Sequence, residues 1–461
     1  MRGLLSGLKA LVLGVLLLGT ACSPQGALAP ESSAEILWDT WGVPHVYAES
    51  DEALFRAFGR AQMESHGELL LELYAQARGR AAEVQGEEGL ESDRWVRTMG
   101  IYPRARQWYE DQTPGFRRIL DAFAAGINDY ADDPTAGLSE RSRSVLPVSA
   151  VDVLAHAQRV IQFSFVGRPR AVGQAAQLVA GEGSSAWAIA PSRSASGRSM
   201  LLINPHLAWA GEQLFYEVHL NGPGVACYGV TLVGFPVVVI GFNDRLGWTH
   251  TVNTLDGADS YELALVDGGY LYDGEPRAFE SEQQTLLVRR DDGTFREEPL
   301  TIRRSIQGPV IAEGNGKAVA YRVAGLDASG MLEQWWDMSR AADLEAFEAA
   351  LSRLQVPVFN VLYADRDGHI LYVFNGRVPK RPGGTYLDWL GAVSGDTSET
   401  LWTDYLSYHE LPRVLDPPSG WLQNANDPPW TSTFPAALDP ARYPPFLAPQ
   451  FMHFRAQQSA S

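Results

Sequence analysis

Apolar positions recur with helical spacing through the first third of the chain, and with strand-like spacing after residue 184. Residues 31–48 read as a strand, a turn at Gly42 and a second short strand. Residues 51–83 then carry Leu54, Phe58, Ala61, Leu69, Leu70 and Leu73 on a helical stripe. A second stripe, Ile119, Leu120, Phe123, Ala124 and Ile127, predicts a helix over 116–130. Polar residues 131–145, with Pro134 and Gly137, predict a loop, and 151–165 again reads as helix. Past residue 184, strands are expected at 187–190, 200–203, 214–220, 230–233 and 237–240. Short alternating runs between 261 and 323, broken at Asp267-Gly268, Asp292-Gly293 and Gly308-Pro309, read as antiparallel hairpins. One helix is expected at 341–354, and Asp367-Gly368 joins strands at 358–363 and 369–374. The sum is an α+β chain, helical first and β-rich afterwards.

Residues 167–183 break both patterns. Pro169, Gly173, Gly181 and Gly183 stand among Ala and Gln with little to pack. By composition this is an interdomain linker; the sharper reading is a removable spacer.

The N-terminus changes the compartment. Arg2 and Lys9 precede an apolar run at 10–18, and Gly19-Thr20-Ala21 precede Cys22. The run is short for a membrane span. The ending Leu-Gly-Thr-Ala-Cys looks like a bacterial lipoprotein processing site, with an ordinary secretory signal cleaved near Ala21 or Ala27 as the alternative. Either way the protein is expected to be exported, as a periplasmic or outer-membrane-associated lipoprotein in the first case. Cys22 and Cys227 are the two cysteines, so neither a disulfide framework nor a zinc cluster is expected. A net charge of −18 argues against nucleic-acid binding, which needs a basic face.

The candidate chemistry lies at the change of period, in Gly183-Ser184-Ser185-Ala186-Trp187-Ala188-Ile189-Ala190-Pro191. If the Gly183–Ser184 bond is cut, Ser184 carries a nucleophilic hydroxyl and a free α-amine on one residue. Such an amine titrates near ~7.7–8.0, so a useful fraction is unprotonated at neutral pH. A Gly-Ser pair alone is usually a loop. Three further segments bear on it: Asn204-Pro205-His206, then 247–253 with Thr251-Val252-Asn253, and Gln423-Asn424-Ala425-Asn426-Asp427-Pro428-Pro429-Trp430. Separately, each has a plain reading as a packed histidine, an ordinary loop and an Asx turn before prolines.

In this order and spacing, the four segments resemble the penicillin/cephalosporin acylase family of N-terminal nucleophile hydrolases. Residues 38–48, Trp-Asp-Thr-Trp-Gly-Val-Pro-His-Val-Tyr-Ala, are similar to the family's start, and 74–83 to its first long helix. The resemblance implies an αββα four-layer sandwich with a mainly helical N-terminal part. It implies a precursor that cuts itself at Gly183–Ser184. The segments would be a signal over 1–22, a helical α-chain region over 30–166, a spacer over 167–183 and a catalytic β-chain region over 184–461, giving an α/β heterodimer. By the same match Ser184 is the nucleophile, and the Val252 N–H and the Asn426 side-chain amide form the oxyanion hole. His206 tunes the α-amine and Arg455 orients the asparagine and amine. No cofactor is needed for catalysis; Asp256 and Asp259 resemble a structural calcium pair, with two turn aspartates as the plain reading.

Two departures stand out. Ser185 replaces an asparagine common in relatives, and the chain stops at Ser461, before a further stretch that completes the family's β region. The resemblance implies an exported amidohydrolase cleaving the N-acyl bond of a small amide. Its substrates would be acylated β-lactam nuclei, N-acyl homoserine lactones or other acyl amino compounds. The alternative is a catalytically silent acylase-like lipoprotein with a binding or structural role. A Gly-x-Ser-x-Gly hydrolase is disfavoured, because the chain has no such motif.

Overall fold

A computed structural model describes residues 33–167 and 183–460. The expected leader with Cys22, and the expected spacer apart from its end residues Gly167 and Gly183, lie outside the described residues. No described helix is long and apolar enough to cross a membrane.

The helical part is built on two crossed helices, Asp51–Arg78 and Pro114–Ala131. Ser50 starts the first, its side chain accepting from Ala53 N, and Gly79 ends it in the left-handed conformation at φ 66°. Their buried faces carry the predicted stripes, including Leu54, Phe58, Phe123 and Ile127. The helices touch backbone to backbone: a Cβ on Gly126 would fall 1.8 Å from the Arg56 carbonyl oxygen. A third helix, Ala150–Val160, continues as one wider turn over Ile161–Val166. Polar bonds fix these helices to the β region, since Gln62 Nε2 donates to Phe235 O and Tyr74 Oη to Gly234 O, both at 2.8 Å.

A nine-stranded sheet lies beneath, with Leu246–Thr251 and Asn360–Asp365 side by side within it. Its second strand, Pro44–Ala48, runs parallel to Phe215–Gly222, and the other pairs of this sheet are antiparallel. Across its other face lies a three-stranded sheet in which Gly183–Ile189 is flanked by Met200–His206 and Trp421–Asn424. Helix Phe454–Ala460 covers that second sheet. Helix, sheet, sheet and helix therefore follow one another, the last layer being a single short helix among the described residues. A six-stranded sheet and the hairpin Glu280–Arg289/Phe295–Arg304 stand apart from this stack.

Several boundaries differ from expectation. The helix predicted over 51–83 stops at Arg78, because Gly79 closes it. The strand predicted at 237–240 is Ile240–Phe242, and the helix at 341–354 is Leu344–Leu351, capped by the Asp343 side chain. Helices Leu90–Thr98, Ile101–Asp111 and Met331–Arg340 were not anticipated. The strand expected to begin at residue 187 begins at Gly183, which puts Ser184 inside regular structure.

Candidate active site

Strand alternation sorts the residues around Ser184. Ser184, Ala186 and Ala188 share one face, and the two alanines, fully buried, let the two sheets approach closely. Pro205 is paired with Ser184 in register and shares its face; His206 is paired with Gly183 and lies on the opposite face with Ser185. Pro205 has no N–H to offer the Ser184 carbonyl. Arg455 Nη1 takes that carbonyl instead, at 2.5 Å, and reaches Ser185 Oγ at 3.3 Å. The Ser184 N–H is likewise satisfied by a side chain, donating to Asn426 Oδ1 at 2.7 Å. Arg455 Nη2 donates to the same oxygen at 2.5 Å. Ser184 Oγ donates to the Gly183 carbonyl at 2.7 Å, within the still-intact peptide bond.

Glycine is needed at 183 for steric reasons. A Cβ there would lie 2.7 Å from Arg455 Nη2 and 3.0 Å from Asn426 Oδ1. The close approach of both side chains to the bond depends on the missing methyl.

Asn426 is held in the left-handed region at φ 66°, uncommon for a non-glycine residue. Its N–H donates to Asn424 Oδ1 at 2.8 Å, and its Nδ2 donates to the Val252 carbonyl at 2.8 Å. Asn424 Oδ1 also accepts from Thr251 Oγ1 at 2.6 Å and Asn360 Nδ2 at 3.0 Å. Tyr372 Oη closes the network on Asn360 Oδ1 at 2.8 Å. These groups are buried, so each bond left unmade carries a desolvation penalty.

The structure thus brings Ser184, Val252, Asn426 and Arg455 together. In the uncut chain the Asn426 amide nitrogen is engaged by Val252 O. His206 stands on the Arg455 side, and no hydrogen bond joins it to Ser184 among the described residues. Burial, aided by the charge of Arg455, lowers the His206 pKa below its ordinary value, which keeps its imidazole neutral at pH 7.

A small apolar cavity, about 40 Å³, opens on the Ser184 face. Ile161, Phe165, Val239, Trp335 and Phe359 line it, with His250 in its wall. Trp335 Nε1 donates to His250 Nε2 at 2.9 Å. That nitrogen must then be the acceptor, so Nδ1 carries the proton and donates to the Asn360 carbonyl at 3.2 Å. Both ring nitrogens are spent, and burial pushes the His250 pKa down to about 4. The histidine therefore presents the cavity with a neutral ring. The sequence reading missed His250, Trp335, Phe359 and Asn360.

The calcium expectation does not fit this structure. Arg381 lies between the two aspartates, its Nη2 2.9 Å from Asp256 Oδ2 and 2.9 Å from Asp259 Oδ1. The same nitrogen donates to the Asp256 carbonyl at 2.9 Å, and Trp402 Nε1 donates to Asp259 Oδ2 at 2.6 Å. Burial raises the Asp259 pKa, and Arg381 and Trp402 oppose that rise. A buried guanidinium already pairs with both carboxylates, and no cluster of three or more His, Cys, Asp or Glu suited to a metal occurs among the described residues.

A sequence model of the family described as penicillin amidase matches residues 33–460. The chain belongs to the penicillin amidase family. The acyl-homoserine lactone acylase PvdQ of Pseudomonas savastanoi pv. phaseolicola is 31% identical over 396 residues, covering 75% of this chain and 51% of that protein. The acyl-homoserine lactone acylase QuiP of Pseudomonas aeruginosa is 27% identical over 454 residues, covering 81% of this chain and 52% of that protein. The chain spans about half the length of these curated relatives. A thermostable penicillin G acylase from Alcaligenes faecalis superposes with a TM-score of 0.50 at 23% identity, over 60% of this chain and 49% of that one. That likeness gives the N-terminal nucleophile hydrolase fold, in accord with the α+β architecture.

Proposed function

We propose that this chain is a self-processing acylase that hydrolyses the N-acyl amide bond of small substrates with an apolar acyl chain. The observation that carries the reading is the apolar cavity opening directly on Ser184, the residue after the scissile Gly183 carbonyl. In processing, Ser184 Oγ bonds to the Gly183 carbonyl carbon and the C–N bond breaks as the nitrogen takes up a proton. Water then hydrolyses the ester, leaving a carboxylate on Gly183 and a free amine and hydroxyl on Ser184. Asn426 Oδ1 holds the Ser184 nitrogen during this step. Arg455, bonded to both Asn426 and the Ser184 carbonyl, keeps the three groups in register.

In turnover the freed amine takes the proton of Ser184 Oγ as the hydroxyl attacks the substrate carbonyl. Once Asn426 Nδ2 leaves Val252 O, it and the Val252 N–H serve the developing oxyanion. The acyl group lies in the cavity, the amine product departs, and water releases the acid. The cavity offers carbon surface and a saturated histidine, which favours an aliphatic or aryl acyl group over a polar one. The relatives' names supply the amine, so N-acyl homoserine lactones are the first substrates to try, with acylated β-lactams second. The cysteine-ended leader supports export with lipid attachment at Cys22, and so a periplasmic or outer-membrane location.

The deciding test is denaturing electrophoresis of purified protein beside a Ser184→Ala control. Wild type splitting near residue 184, with the control intact, supports the reading. A single intact wild-type band matching the control would overturn it, and would favour a silent acylase-like lipoprotein instead.

A further inference from the structure

We propose that a second concave site, distinct from the Ser184 cavity, binds a small organic oxyanion carrying two or more negative charges, such as a phosphate ester or polycarboxylate. The cleft lies between the end of helix Asp51–Arg78, helices Leu90–Thr98 and Ile101–Asp111, and the hairpin strands Glu280–Arg289 and Phe295–Arg304. Its volume is about 580 Å³, against about 40 Å³ for the cavity at Ser184. Arg78, Arg80, Arg97, Arg106 and Arg304 line it, against two lining carboxylates, Asp152 and Glu282. The chain as a whole carries −18, so this concentration of guanidinium groups opposes the overall balance.

The pairing within the cleft decides which charges are open to a ligand. Arg78 is spent on Asp152, at 2.5 and 2.8 Å, and on two backbone carbonyls. Arg304 pairs with Glu282 at 3.0 Å, and Arg80 with Glu83. Neither Arg97 nor Arg106 forms a contact ion pair among the described residues, although the charge of Arg97 acts on Asp93 and Glu282. Arg97 donates Nε to the Gly79 carbonyl at 3.0 Å and Nη1 to Gln284 Oε1 at 3.4 Å. Arg106 lies over the Tyr102 ring at 5.3 Å. Arg104, bonded to Gln158 and to the Met99 carbonyl, also forms no ion pair among the described residues. Burial and the charge of Arg304 pull its pKa down to about 10, still well above neutral pH. A concave surface focuses this excess of positive charge, and guanidinium forks match oxyanions in bidentate geometry. Val96, Pro103 and Leu146 supply an apolar wall, so a ligand with a carbon skeleton fits better than a bare ion.

Isothermal titration of the full chain with phenyl phosphate, and separately with citrate, tests this. The expected result is saturable binding of at least one probe, weakening as salt rises. Arg106→Glu is exposed and breaks no ion pair, so it folds; it should weaken binding tenfold or more. Arg366→Glu, elsewhere on the surface, should leave binding unchanged. Phenyl phosphate alone binding identifies a phosphate-ester site, and citrate alone a carboxylate site. No saturable binding of either at millimolar concentration, or equal affinity in wild type and Arg106→Glu, overturns the proposal.

Discussion

The Asn426 side-chain oxygen accepts the Ser184 N–H at 2.7 Å, across 242 residues of sequence. One side chain therefore holds the nitrogen of the bond to be cut and, through Nδ2, the carbonyl of Val252. Replacing Asn426 should remove both holds. In Asn426→Gly, which suits φ 66° without strain, cleavage should be lost or slowed by about 10²–10³, the usual cost of one oxyanion donor. Asn426→Ala should process equally badly and melt lower, since alanine resists the left-handed conformation by roughly 1–2 kcal/mol. Wild-type cleavage kinetics in Asn426→Gly would refute the assignment.

Gly183→Ala probes the same contact from the other side. The added methyl meets Arg455 Nη2 at 2.7 Å and Asn426 Oδ1 at 3.0 Å, so one of them must withdraw. The expected outcome is a folded precursor with wild-type circular dichroism, cleaved at least tenfold more slowly on a time-course gel. A normal rate would mean that neither contact governs cleavage.

What could be read in advance depends on what marks each residue in the sequence. Ser184, Asn426 and Arg455 sit in short segments that resemble the family's, and that resemblance, not any local signal, is what grouped them. The cavity wall was not legible, because Trp335 and His250 meet across 85 residues and nothing local marks either as apolar lining. Arg381 was hidden differently. Within Pro379-Lys380-Arg381-Pro382 it reads as an exposed basic turn, yet only 6% of it is exposed. The missed helix Ile101–Asp111 did carry a signal, with buried Ile101, Ala105 and Trp108 at i, i+4 and i+7 among arginines.

His250 predicts a pH dependence of stability. Its pKa is depressed from an ordinary 6.5 to about 4, so the unfolded chain binds the extra proton first as pH falls. The stability it supports is present above pH 6.5 and is lost progressively between 6.5 and 4, by about 2 kcal/mol at pH 5. In the folded chain Nε2 is protonated only as the pH nears 4; there it can no longer accept from Trp335 Nε1, and the cavity wall should loosen. His250→Gln keeps a hydrogen-bonding side chain but does not titrate. The fall in Tm from pH 7 to pH 5 should therefore be smaller in the variant than in wild type. Equal falls would show that the histidine is not the titrating group.

Arg381 takes the place expected of calcium, and its removal distinguishes the two cations. The segment that follows Val252 is tied down twice, by Asn253 Nδ2 on the Asn375 carbonyl at 2.7 Å and by Arg381 on Asp256 and Asp259. Arg381→Met would leave two buried carboxylates uncompensated, a loss of about 3–5 kcal/mol where one partner of a buried pair is deleted. The Val252 segment should loosen with it, lowering kcat more than it raises KM. Low millimolar guanidinium ion should recover part of the Tm and kcat by re-entering the gap, whereas equal ionic strength of sodium chloride should not. Wild type, carrying its own cation, should keep its Tm in excess EDTA. A substantial EDTA-induced fall that added calcium reverses would mean that a divalent ion holds the aspartates, and the guanidinium assignment would fail.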